Sequence, residues 1–304
     1  MTTRWRDALP RPVAFALSGG ANLGAIQVGM LKALAEVGLR PDIVVGASVG
    51  AINGAVIADR GLDEGARRLE QIWHNLSRGH IFPGNLLSQL RRLVTTRISL
   101  FRQDELAGLI CRTLSVPQIE QFRLPFGALA TELLTDHGVL FTAGRTRPAL
   151  LASSAIPGVY PPVKIDGKLY VDGGLTAHVP LRPAVDMGAA SIVVLDAGGN
   201  CHRQTPPRRM SNLVIHSMNA ILRQRVLLEA PAVAAERPVL YLPTPCLVNQ
   251  SILGFEHSAQ LIEQSAALSR AFLAEAPLPR PGAMSGGPHF HKNPPPGAIT
   301  FARA

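Results

Sequence analysis

Twice in its first fifty residues the chain carries a short, wholly apolar run into a turn of small residues and out again into a helix, which restricts the sheet it can build. Val13 to Leu17 lead into Ser18-Gly19-Gly20, and Ile43-Val44-Val45 lead into Gly46-Ala47-Ser48-Val49-Gly50. A strand that is apolar at every position has no face to give to water, so it belongs in a sheet covered on both sides. Between the two runs, Ile26, Met30, Leu31, Leu34 and Val37 recur at helical spacing until Gly38 stops the helix. This β-α-β-α order implies an α/β fold with a mostly parallel central sheet.

The same reading expects helices over residues 63–76, 103–114, 148–155, 183–187, 210–228 and 255–275. It expects strands over 124–133, 138–142, 168–171, 191–196 and 239–242. Residues 80–99 show no clear period, only leucines mixed with Arg91, Arg92 and Arg97. A chain of 304 residues, 47% of them hydrophobic, can bury one large core. The expected organisation is a basic N-terminal arm at 1–12, one domain at 13–275, and a Pro/Gly-rich tail at 276–304 that is disordered.

Cys111, Cys201 and Cys246 are widely spaced, with no CxxC pair and no matching histidines, so neither a disulfide framework nor a metal site is expected. The apolar run after the basic N-terminus is too short for a signal segment, and no run reaches membrane-spanning length. A cytoplasmic protein is therefore expected, one able to meet the inner face of a membrane peripherally. The net charge of +9 favours anionic surfaces. Nucleic acid is disfavoured, because the arginine groups lack interleaved aromatics and no zinc-finger, RNP or helix-turn-helix signature occurs. The apolar and arginine-bearing residues 82–101 are the expected membrane or acyl-chain contact.

Chemistry concentrates in three short segments. Ser48, between two glycines after a strand and before a helix, fits a nucleophile elbow, whose sharp turn exposes the hydroxyl next to helix N–H groups that can bind an oxyanion. Asp172, in Asp172-Gly173-Gly174 at the end of another apolar run, is the candidate base; Asp-Gly at a strand end is also an ordinary turn. The loop Ser18 to Gly24 could cradle phosphate, a dinucleotide or an oxyanion. A Walker loop needs Lys and then Ser or Thr after Gly24, where Ala25-Ile26 stand, and a dinucleotide loop needs glycine where Ala21 stands. An oxyanion loop needs only free N–H groups.

On these residues the chain resembles the patatin-like phospholipases, in particular the bacterial single-domain members. Four blocks in the family's order carry the resemblance: Gly19 to Gly24, Gly46 to Gly50, Ala152-Ser153-Ser154-Ala155-Ile156-Pro157-Gly158-Val159-Tyr160-Pro161-Pro162, and Asp172-Gly173-Gly174 with Val179-Pro180. The resemblance implies a three-layer α/β/α fold and a Ser-Asp dyad of Ser48 and Asp172. It further implies an oxyanion hole from the N–H groups of Gly19, Gly20 and Ala21, and hydrolysis of fatty acyl esters of phospholipids or related lipids. No metal or organic cofactor is required by that chemistry. Two departures stand out: Leu23 occupies a position where the family commonly has Arg or Lys, and Leu175-Thr176-Ala177-His178-Val179-Pro180 stands where an Asn-Pro pair is more usual, which places His178 near the dyad.

A carboxylate at an ordinary pKa near ~4 is a weak base, so the dyad needs Asp172 to be desolvated. His178, His216 and His257 all follow Asp172 in the order a Ser-Asp-His triad requires, and Asp196 is a further candidate acid. Two rival readings remain at this level. One is a catalytically weak lipid-binding relative with an oxyanion loop impaired at Leu23. The other is a dinucleotide-dependent oxidoreductase that uses Asp42 as its ribose-binding acid.

Overall fold

The structure, a computed structural model, describes residues 4–77, 99–198, 210–245 and 254–288. Five strands and the helices between them follow the expected rhythm: β1 (Val13–Leu17), α1 (Gly24–Glu36), β2 (Ile43–Ala47), α2 (Val49–Arg60), α3 (Leu62–Asn75), α4 (Asp104–Thr113), β3 (Phe126–Glu132), β4 (Gly138–Phe141), α5 (Thr146–Ser153) and β5 (Val163–Ile165). They continue with β6 (Lys168–Asp172), α6 (Leu181–Asp186), β7 (Ser191–Leu195), α7 (Met210–Glu236), β8 (Val239–Tyr241), α8 (Ser258–Glu275) and β9 (Ser285–Gly286). The parallel part of the sheet runs β3-β2-β1-β7-β8-β9, with β4, β5 and β6 antiparallel at one end.

Strand alternation divides the core into two. Val13, Phe15, Leu17, Val44, Val193 and Leu195 point to the layer of α1, α2, α3 and α8. Ala14, Ala16, Val45, Ile192 and Val194 point to the layer of α6 and the C-terminal part of α7. The result is the expected α/β/α sandwich, with a mostly parallel sheet flanked by helices. No helix among the described residues is long and apolar enough to cross a membrane.

The strand registers bring the two catalytic candidates together. β4 lies along one edge of β3, pairing residues 128–131. On the opposite edge, β2 pairs with 126–129 and β6 with 130–132, running the other way. Thus β2 and β6 meet head to head on one edge of β3, with Ala47 against Leu129 and Asp172 against the next residue, Ala130. The last residue of β6 and the first residue after β2 are neighbours although more than a hundred positions separate them.

Several features differ from the sequence expectation. The N-terminal arm is docked: Trp5 and Leu9 are buried, and Trp5 Nε1 donates to Leu273 O at 2.8 Å. Beyond 276, Ser285 and Gly286 add an edge strand to β8. β5 pairs with β6 through a tight turn with positive φ at both Asp166 and Gly167, the geometry of a two-residue hairpin. Of the expected membrane-contact segment, residues 82–98 lie outside the described residues, whereas Phe101 is buried.

Candidate active site

Ser48 sits between β2 and α2 with φ 55° and ψ −126°, a conformation that costs a non-glycine residue about 1–3 kcal/mol. Close packing holds it there. A Cβ on Gly50 would stand 2.3 Å from Leu17 O, so only glycine lets α2 start this near β1. The Ser48 N–H donates to Ser153 Oγ at 3.0 Å, fixing the strained peptide to the end of α5. α2 begins at Val49, so its N-terminus and positive dipole end face the Ser48 region.

Asp172 closes β6. Its Oδ1 accepts from Gly174 N–H at 2.7 Å, and a Cβ on Gly173 would stand 2.0 Å from Leu129 O, so glycine is needed where the turn crosses β3. The carboxyl is buried, and its Oδ2 accepts no well-formed hydrogen bond; the Ser48 hydroxyl is the side-chain donor within its range. Burial pushes the Asp172 pKa up from 3.8 to about 6, against the opposing pull of the Ser48 hydroxyl and the Gly174 N–H. Such a carboxyl is ionised at neutral pH and is a stronger base than an exposed aspartate.

The glycine-rich loop crosses the top of the sheet beside the serine. The Gly19 N–H is engaged, donating to His178 O at 3.0 Å. Gly20 and Ala21 lead into a 3-10 turn whose first bond is Leu23 N–H to Gly20 O at 3.0 Å. The N–H groups of Gly20 and Ala21 therefore precede the turn's own ladder and make no hydrogen bond among the described residues. Ala21 takes a positive φ of 51°. A buried polar chain anchors this loop: Gln27 Nε2 donates to Ser18 O and Leu195 O, Asn53 Nδ2 donates to Gln27 Oε1 and Gly24 O, and Trp73 Nε1 donates to Asn53 Oδ1. Sequence reasoning missed these residues and Ser153, because their partners lie on other elements.

His178 is part of the same locus. A Cβ on Gly19 would lie 3.3 Å from His178 Nδ1 and 3.5 Å from Ser48 Cβ, so the bare Gly19 separates the imidazole from Ser48. His178 Nε2 lies 3.8 Å from Asp196 Oδ1, and Asp196 also accepts from Tyr241 OH and, at 2.8 Å, from Gly198 N–H. Burial lowers the His178 pKa, with Asp196 opposing, so the ring is neutral at pH 7. His216 is exposed on α7, and His257 is exposed at the start of α8. Asp42 precedes β2, at the opposite end of the sheet, where it accepts from Val13 N–H at 2.7 Å and pairs with Arg11. It therefore cannot meet a ligand in the glycine-rich loop.

Ser48 opens to two cavities. One, with about 730 Å³ of empty space partly open to solvent, is almost wholly apolar and runs between α2, α3 and α4, past Ile52, Val56, Ile72, Leu106 and Leu109. The other, with about 1900 Å³ partly open to solvent, contains Asp172, His178 and Asp196 and is walled by Leu23 and the N-terminal half of α7. A serine where two largely apolar cavities meet, the larger of them also carrying Asp172, His178 and Asp196, suits a molecule with a long acyl chain next to a polar group.

The Patatin-like phospholipase family pattern matches residues 15–185, which spans the elbow, the glycine-rich loop and Asp172. An uncharacterized NTE family protein of Mycobacterium bovis is 30% identical over 200 residues, 65% of this chain and 52% of that protein. Patatin-like phospholipase domain-containing protein 7 of Mus musculus is 30% identical over 189 residues, 61% of this chain and 14% of its own length. The lysophospholipase nte1 of Aspergillus terreus is 30% identical over 191 residues, 62% of this chain and 12% of its length. The chain thus spans about half of the mycobacterial relative and a small part of the other two. With the family pattern covering more than half of the chain and every residue of the Ser48 locus described above inside it or packed against it, the chain belongs to the patatin-like phospholipase family.

Proposed function

We propose that the chain hydrolyses fatty acyl esters of phospholipids or related lipids, with Ser48 as nucleophile and Asp172 as its base. The observation that carries this reading is the pairing of a strained, glycine-flanked Ser48 with a buried carboxyl of raised pKa, at the mouth of an apolar cavity. Ser48 Oγ attacks the ester carbonyl carbon while its proton passes to Asp172, and the carbonyl electrons move onto oxygen. The N–H groups of Gly20 and Ala21, aided by the start of α2, stabilise that oxyanion, and the Gly19 N–H joins them only if it leaves His178 O. Collapse breaks the bond to the alcohol, which takes the proton from Asp172. Water then gives its proton to Asp172 and attacks the acyl-serine, releasing the fatty acid and returning a proton to Ser48 Oγ.

The relatives' names support a lysophospholipid or phospholipid substrate, and the acyl chain has the apolar cavity to enter. Leu23, half-buried against the core and facing the larger cavity, gives the loop an apolar wall in place of a cation. The test is fluorophosphonate labelling with intact-mass location of the adduct, followed by lysophosphatidylcholine turnover. Labelling at Ser48 that is lost in Ser48→Ala and in Asp172→Ala supports the dyad. A folded wild-type protein that takes no label, or that labels without Asp172, defeats it.

A further inference from the structure

The first two thirds of α7 leave large apolar side chains in water. Met210 is 82% exposed, Ile221 68% and Leu228 76%, and Leu213 and Val214 are both more than half exposed. Met210, Ile221 and Leu228 recur at whole multiples of about 3.6 residues, so they form one line along the helix, with Leu213 and Val214 beside its first turn. An exposed apolar stripe of this length on a globular protein marks a surface that something else covers.

Two observations identify what covers it. From Met210 to Leu228 the helix contains no Asp or Glu; Arg225 is exposed beside the apolar stripe, Arg223 turns into the cavity instead, and Arg203, Arg208 and Arg209 precede the helix in the sequence. The surface is therefore apolar and cationic together, which suits an anionic lipid interface. The second observation is continuity. Met210 and Val214 are exposed and also line the larger Ser48 cavity, whose wall is continued by Met218 and Leu222 on the adjoining face of the same helix. A lipid leaving an interface under this helix would meet apolar side chains from the surface to the serine.

We infer that α7 is the membrane-docking element: its Met210-Leu213-Ile221-Leu228 stripe lies in the interfacial region of an anionic bilayer and delivers lipid into the Ser48 cavity. This partner assignment rests on the lipid-hydrolase reading above only for the delivery step; the docking step stands without it. It also moves the contact from residues 82–101, where the sequence alone would put it, to a helix whose exposure is described.

The test uses the full chain carrying Ser48→Ala, so that vesicles are not consumed, and measures co-sedimentation with vesicles of phosphatidylglycerol and phosphatidylcholine. Binding should weaken with salt and with removal of the anionic lipid. The triple variant Leu213→Asp, Ile221→Asp, Leu228→Asp should bind at least about tenfold more weakly, since each such side chain withdrawn from an apolar phase is worth about a decade. In the Ser48-bearing protein the same triple substitution should leave hydrolysis of a short, soluble ester unchanged, which shows that the fold and the site survive. Vesicle binding equal in the two proteins overturns the proposal, as does the absence of binding by the parent. A parent dimer that the triple variant dissolves, with vesicle binding unaffected, overturns it in favour of a second copy on this face. If vesicle binding behaves as expected but no ester is turned over, the hydrolase reading fails and the docking surface stands.

Discussion

On the proposed mechanism, the raised pKa of Asp172 ties stability to catalysis. A carboxyl that binds its proton more tightly in the folded chain than in the unfolded one stabilises the fold when protonated, and that stabilisation is fully present below about pH 4. Between 3.8 and about 6 the unfolded chain has released the proton while the folded chain keeps it, so stability falls as pH rises through that window. At about 1.4 kcal/mol per tenfold change in proton affinity, ionised Asp172 costs the fold about 3 kcal/mol at neutral pH. Asp172→Asn removes that charge and retains an oxygen to accept from Gly174 N–H. The variant should melt at about the same temperature as wild type at pH 4 and several degrees higher at pH 7.5, while losing fluorophosphonate reactivity. Scanning calorimetry or denaturant titration across pH 4–8, with the wild-type kcat/KM profile alongside, gives both readouts. The wild-type rate should climb as pH rises through about 6. A stability difference that does not change with pH, or a rate that already levels off near pH 4, would refute the argument that burial sets this pKa.

Other substitutions test separate parts of the site. Ser153→Ala leaves the Ser48 N–H without its acceptor, a loss of about 1–3 kcal/mol at a buried group, so the labelling rate should fall about tenfold in a protein that still folds. His178→Gln should keep labelling within about tenfold of wild type, because the histidine bonds the loop through its backbone oxygen; a loss of a thousandfold or more would instead mark a triad. Leu109→Trp narrows the apolar cavity, so kcat/KM should drop for long-chain esters and hold for acetyl esters when a chain-length series is measured.

The layers and the turn at Ser48 were legible because their causes are local. An all-apolar run is a buried strand wherever it falls, and a serine between two glycines at a strand end carries its turn with it. Asp172 was legible as a candidate from its two glycines, yet what brings it to Ser48 is the sharing of one β3 edge by β2 and β6, a register that no window of sequence contains. The free N–H groups were legible only as a loop: that Gly19 is bonded to His178 O and Gly20 and Ala21 are not depends on where a strand from the far half of the chain ends. The docked Trp5 and the β9 edge strand were missed because short polar or proline-rich segments acquire structure from what they land on. The hairpin turn at Asp166-Gly167 had a signal in its sequence, the Asp-Gly pair, that periodicity alone passes over.

The head-to-head meeting of β2 and β6 also governs when this chemistry can exist. The elbow is built from β1, β2 and α2, all within the first sixty residues, and is pinned by Ser153 at the end of α5. Asp172 arrives only when a strand from beyond residue 167 docks antiparallel on the remaining half of the β3 edge. On the proposed mechanism, the dyad is therefore assembled only by closing the sheet, from segments more than a hundred residues apart.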